Sequence, residues 1–126
     1  MASWSPTDLR TIATTDEVRL ATRRRDGTLR NPVTIWAVVV GEDVFVRAVR
    51  GRESPWFRGT RSQHRGTLHV GSRAYEVAFA DAPGERAAAI DAAYRQKYRG
   101  YAKSIVDSTM TPKAREATLR LVPASV

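Results

Sequence analysis

Six strand-like stretches joined as consecutive hairpins, with a long helix inserted before the last of them, predict a mainly β fold with flanking helices (α+β), an antiparallel barrel. Two observations favour closure. From Val33 onward one strand is apolar on both faces and needs cover on both sides. A twisted six-stranded sheet left open would also expose long unpaired edges. The alternative is an open α+β sheet.

The elements follow in order. Ser5, Pro6, Thr7 and Asp8 supply a cap, a proline for the first turn and an acid near the helix N-terminus, which predicts a short helix over about 6–14. Val18, Leu20 and Thr22 alternate with Glu17, Arg19 and Arg23 as in a half-buried strand, and Arg25-Asp26-Gly27-Thr28 reads as a hairpin turn. The next strand runs from about Leu29 to Val40, with Pro32 marking an edge or bulge. Its Val33, Ile35, Ala37 and Val39 are expected inside the barrel. Trp36, Val38 and Val40 lie opposite, where Trp36 and Val38 would mark a dimer surface if they face outward.

Gly41-Glu42-Asp43 turns the chain into a strand over Val44 to Val49. A helix starts at Pro55. Thr67 to Val70 and Ala74 to Ala80 form another hairpin through Gly71-Ser72-Arg73. Ala87, Ile90, Tyr94, Tyr98, Tyr101 and Ile105 recur three or four apart, predicting a long helix over about 84–99 that Gly100 kinks or divides. After Thr111-Pro112, Ala117 to Val122 is the closing strand. At 126 residues, 1–126 reads as one domain.

Composition narrows the chemistry. There are no cysteines, so disulfides, thiolate metal sites and cysteine nucleophiles are excluded. His64 and His69 do not assemble a triad or a two-histidine metal site, so no metal is expected. The acidic pairs fall in turns and element ends, and no phosphate-loop or dinucleotide fingerprint occurs, which leaves the catalytic residues unassigned. The longest apolar run, Ile35 to Val40, is too short to span a membrane, and Asp8 and Arg10 interrupt the N-terminus where a signal peptide is apolar, so a cytoplasmic protein is expected. A net charge of +8 favours anionic partners, although only three of the 21 basic residues are lysines, as a GC-rich coding sequence alone would produce.

The segment from Phe45 to Arg58 carries the densest signal. It leads a strand through Gly51 into a helix start at Ser54 and Pro55, where free backbone N–H groups gather. Arg50, Arg52 and Arg58 surround that start with planar donors for phosphate or carboxylate, and Trp56 adds a flat apolar face. A phosphorylated ring-bearing ligand fits this set. An exposed basic loop anchored by its tryptophan fits it as well. Tyr94, Lys97, Tyr98 and Tyr101 would supply a cleft wall or, alternatively, helix-to-barrel packing. The candidate cofactor-binding residues are therefore Arg47, Arg50, Gly51, Arg52, Ser54, Trp56, Arg58, Lys97 and Tyr98. The competing class is a non-enzymatic anion-binding or nucleic-acid-binding module using the same arginines, with Arg23-Arg24-Arg25 and a Phe45–Arg47 face as a thin version of a nucleic-acid surface.

Arg23-Arg24-Arg25-Asp26-Gly27-Thr28 with Val33-Thr34-Ile35-Trp36, then Gly51-Arg52 and Trp56-Phe57-Arg58, then Asp91 to Tyr98 and Ala117 to Pro123, resemble the bacterial DUF2255 family across nearly the whole chain. That family is similar to the flavin-binding split β-barrels, which include pyridoxamine phosphate oxidases and deazaflavin-dependent nitroreductases. The resemblance implies a six-stranded split barrel and a homodimer with FMN or the deazaflavin coenzyme F-420 between subunits. The cofactor's phosphate would sit on basic groups after the third strand, and the cofactor would carry hydride transfer in an oxidoreductase. One departure is local: the nitroreductases carry Pro-x-Trp-Tyr-x-Asn, whereas here Pro55 and Trp56 are adjacent and Gly59 replaces the Asn.

Overall fold

A computed structural model describes residues 3–124. Its elements are α1 (Pro6–Thr14), β1 (Val18–Thr22), β2 (Val33–Ile35), β3 (Ala37–Val40), β4 (Asp43–Arg47), α2 (Pro55–Gln63), β5 (Arg65–Val70), β6 (Arg73–Asp81), α3 (Ala87–Lys97), α4 (Lys103–Asp107), α5 (Pro112–Glu116) and β7 (Thr118–Pro123). The strands form a single sheet in the order β2-β1-β5-β6-β7-β4-β3, antiparallel at every pairing.

The described sheet has seven strands rather than the expected six, because the long strand divides at Trp36. β2 pairs with β1, Ile35 opposite Val18, while β3 pairs with β4, Ala37 opposite Val46. The first and last strands of the sheet are thus consecutive in the chain. One bent stretch closes the barrel except for the break at Trp36, which makes it a split barrel.

The doubly apolar strand is used on both faces. Ala37 is fully buried in the barrel core with Val44, Val46, Leu68, Val77, Leu119 and Leu121, and Val33, Ile35 and Val39 pack against that core. Ile12 of α1 and Phe57 of α2 extend it. On the other face Val38 and Phe45 join Ile90, Tyr94, Tyr98 and Val106, with Trp36 and Val40 packed beside them. The helical region after β6 therefore covers the outward face from the same chain. Val38, 1% exposed, does not mark a dimer surface, because α3 occupies the place a partner would take.

The predicted long helix is a single turn of 3-10 helix (Gly84–Arg86) running into α3, with a separate α4 after Gly100. Tyr94 and Tyr98 of its stripe are buried, whereas Tyr101 and Ile105, beyond the break, are 38% and 50% exposed. β4 ends at Arg47 rather than Val49, since the chain turns through Gly51, whose φ of 87° suits glycine. No helix among the described residues is long and apolar enough to cross a membrane.

Candidate functional site

The helix start predicted at Ser54 is present, but its chemistry differs from a usual cap. Ser54 is buried, and its hydroxyl donates to the Gly51 carbonyl at 2.9 Å instead of accepting from α2. No side chain caps α2; Pro55 has no N–H and Arg58 N–H donates to the Ser54 carbonyl at 3.0 Å, which leaves the first-turn N–H groups of Trp56 and Phe57 without a capping acceptor. Pro55 and Arg58 line a basic hollow there with Arg30 and Gly59. Gly59 permits this approach: a Cβ at that position would lie 2.5 Å from the Thr22 hydroxyl oxygen and 3.6 Å from Arg30 Nε. Arg30 and Pro55 also line a second hollow of about 250 Å³ with Arg24, Asn31, Val33 and Trp56.

Trp56 borders a third cleft, about 260 Å³, lined by Trp36, Ile35, Val49, Tyr94, Ile105, Glu17 and Arg47. A continuous surface thus runs from arginines, past an indole, to an aromatic cleft. Tyr94 stands fully buried in the cleft wall, and its hydroxyl is the buried side-chain polar atom without a hydrogen-bond partner among the described residues. Burial pushes its phenol far above the ordinary tyrosine value, so it remains protonated.

The predicted ligands fall into three groups. Arg58 and Trp56 lie on the surface just described. Arg50 and Arg52 are exposed near Gly51, but Arg52 Nε donates to the Glu116 carbonyl at 2.9 Å and its guanidinium carbon lies 5.7 Å from the Phe57 ring centroid. Gly51 is covered by Lys113, whose side chain crosses the place a Cβ would occupy.

Arg47, Lys97 and Tyr98 are committed to the fold. Arg47 is 4% exposed; it donates to Thr118 Oγ1, the Thr109 carbonyl and Asp91. Arg115 approaches the same carboxylate at 2.6 Å. Burial raises the Asp91 pKa, but hydrogen bonds from Arg115 and Arg47 outweigh it and hold the carboxyl below its ordinary value. Lys97 Nζ donates to the carbonyls of Ile12 at 2.9 Å and Ala37 at 2.5 Å. Tyr98 Oη accepts from the Ala37 N–H at 3.2 Å and donates to the Asp16 carbonyl at 2.7 Å. These two side chains thereby satisfy the backbone of Ala37 where the strand splits. Lys97 lines a different cavity, about 490 Å³, with Asp16, Gln96 and Arg99.

Sequence reasoning missed Arg30, Tyr94's free hydroxyl, and the Asp91–Arg115 support beneath Arg47. Arg30 precedes a proline-containing loop and carries no periodic signal; only the fold brings it to Gly59. His64 and His69 lie outside the clefts, His64 in the left-handed C-cap of α2 and His69 on β5. No group of three His, Asp or Glu side chains assembles as a metal site among the described residues.

Several solved structures share the fold. A conserved hypothetical protein from Mycobacterium tuberculosis is 15% identical, with a TM-score of 0.64 over 98% of this chain and 82% of that one. An F-420 reductase is 18% identical, with a TM-score of 0.58 over 92% of each chain. An FAD- and haem-binding protein from Mycobacterium smegmatis is 16% identical, with a TM-score of 0.55 over 98% of this chain and 67% of that one. No curated protein matches in sequence. The profile of the uncharacterised proteins conserved in bacteria, DUF2255, matches residues 8–121, and the chain belongs to that family.

Proposed function

We propose that the protein binds a phosphorylated flavin-type cofactor, FMN or the deazaflavin coenzyme F-420, and serves as an oxidoreductase. The observation that carries this reading is the juxtaposition at α2: uncapped first-turn N–H groups, Arg58 and Arg30 beside Gly59, and Trp56 leading into an aromatic cleft. The residues fit the group. The N–H groups and two guanidiniums hold the phosphate, Gly59 lets α2 approach β1 closely enough to bring Arg30 beside Arg58, and the indole of Trp56 backs the ring. Neighbouring folds that bind F-420, or FAD and haem, support a cofactor-binding split barrel.

When bound, the cofactor supplies hydride transfer. The chain's own residues bind and orient it. Arg24 and Asn31 stand beside the Trp56 hollow as polar groups for the ring edge. The anion-binding alternative uses the same arginines but leaves the aromatic cleft without a role. A homodimer is part of the proposal, since Val49 and Ile105 leave apolar side chains exposed at the cleft lip.

Titration of the purified protein with FMN, riboflavin and the deazaflavin coenzyme tests the reading. Each charge-assisted contact contributes roughly 1.5–3 kcal/mol, so Arg58→Ala or Arg30→Ala weakens FMN binding about tenfold to a hundredfold. Riboflavin, which lacks the phosphate, is affected less. Equal losses for both would remove the phosphate assignment. Absence of binding by every ring cofactor would leave the anion-binding module.

A further inference from the structure

The aromatic cleft differs electrostatically from the protein around it. The chain carries a net charge of +8. The guanidinium in this cleft wall, Arg47, is fully buried and paired with Asp91, a carboxylate it shares with Arg115. Glu17 also lines the cleft; it is exposed and has no ion-pair partner among the described residues. Burial hides the one cation of the cleft, and solvent exposure leaves its carboxylate available.

Strand register fixes where that carboxylate sits. β1 pairs Val18 with Ile35, so one step further the chain sets Glu17 across from Trp36 at the split. Trp36 and Trp56 border the same cleft, and the unpartnered Tyr94 hydroxyl stands in its wall. Asp16, the neighbouring acid, lines a different cavity, and its carboxylate accepts from the Tyr101 hydroxyl at 3.2 Å. An indole face and a free carboxylate both attract a positive charge attached to an apolar body; Tyr98 covers one face of Trp36 at 3.8 Å, and the Glu17 carboxylate has no ion-pair partner among the described residues.

We infer that this cleft binds an organic cation, a protonated amine or quaternary ammonium, with its charge between Glu17 and the indoles of Trp36 and Trp56. The inference goes beyond the cofactor reading, and it names the class of small molecule that would lie next to a ring bound on Trp56. The two sites share Trp56 but use opposite charges: arginines for the phosphate, Glu17 for the cation.

Choline and dimethylbutanol, its uncharged carbon isostere, separate charge recognition from shape. Calorimetry and quenching of tryptophan fluorescence should show choline binding at least about tenfold more tightly than the alcohol. Glu17→Gln, a change at an exposed position, should bring the two within about twofold of each other, and Glu17→Asp should keep most of the preference. Equal affinities in the wild type, an unaltered preference in Glu17→Gln, or no choline binding at millimolar concentration would each overturn the inference. Neither probe carries a phosphate or a flavin ring, so choline binding without FMN binding would refute the cofactor reading alone, and the converse would refute only this one.

Discussion

Trp36 lies flat on Tyr98, with ring centroids 3.8 Å apart and planes 5° from parallel. The stack joins the point where the barrel strand splits to the end of α3. Tyr98 also uses its hydroxyl on the Ala37 N–H and the Asp16 carbonyl, so one side chain holds the break by packing and by hydrogen bonds. Tyr98→Phe keeps the stack but orphans a buried N–H, and should cost about 1–3 kcal/mol. Tyr98→Ala removes both and should cost about 3–5 kcal/mol. Urea unfolding of the two variants measures the difference; equal losses would show that the hydroxyl contributes nothing.

The Arg47–Asp91 pair should be more sensitive to truncation than any surface ion pair. The Arg47 side chain is fully buried, so Asp91→Ala leaves a buried guanidinium with less than its complement of acceptors and should cost about 3–5 kcal/mol. Exposed Lys103–Asp107, at i,i+4, is the control; Asp107→Ala should cost below about 0.5 kcal/mol. Asp91 also predicts an acid response. Its folded pKa is below the ordinary 3.8, so its stabilising contribution is present above that value and is lost as pH falls through the folded pKa. Acid unfolding of wild type against Asp91→Asn reads this directly.

Most of the barrel is legible in the sequence because strand alternation and glycine turns are local. The break at Trp36 is not. Residues 33–40 read as one strand, apolar without interruption from Ile35 to Val40, and what divides it is tertiary: Lys97 and Tyr98, some sixty positions away, take the backbone groups of Ala37. The same distance explains the site. Trp56, Arg58 and the helix start follow from a local motif, whereas Arg30 joins them only when β1 and α2 meet at Gly59. The helical stripe does not separate the two roles weighed for Lys97 and Tyr98, because a side chain that completes a distant backbone and one that meets a cofactor give the same spacing.

Lys97 predicts a rise in stability on the alkaline side of neutrality. Burial lowers its pKa from 10.5 to about 8, against a smaller opposing effect of Asp16. The unfolded chain therefore binds the extra proton between those values, and this group's contribution to stability increases as pH rises from about 8. Near pH 10 the buried phenols of Tyr94 and Tyr98 begin to oppose it, because their folded pKa values are raised above 10.0. Urea midpoints below that point should climb in wild type and flatten in Lys97→Met. A parallel rise in both proteins would assign the effect to another group.

Gly59 is the tightest constraint on the proposed phosphate hollow. An added Cβ would lie 2.5 Å from Thr22 Oγ1 and 3.1 Å from Thr22 Cβ, so α2 must move away from β1 or Thr22 must turn. The helix position itself favours alanine by about 1 kcal/mol, whereas overpacking of this kind costs about 1–3 kcal/mol, so Gly59→Ala should be net destabilising or neutral but should displace the first turn of α2. FMN affinity should then fall more than stability does, because Arg58 precedes Gly59 and moves with the helix. Thr22→Ala removes the nearer contact. In the double variant Gly59→Ala with Thr22→Ala, affinity and stability should both recover relative to Gly59→Ala, with a coupling energy of at least about 0.5 kcal/mol in the stability cycle. Additive losses would show that α2 and β1 do not meet at this pair.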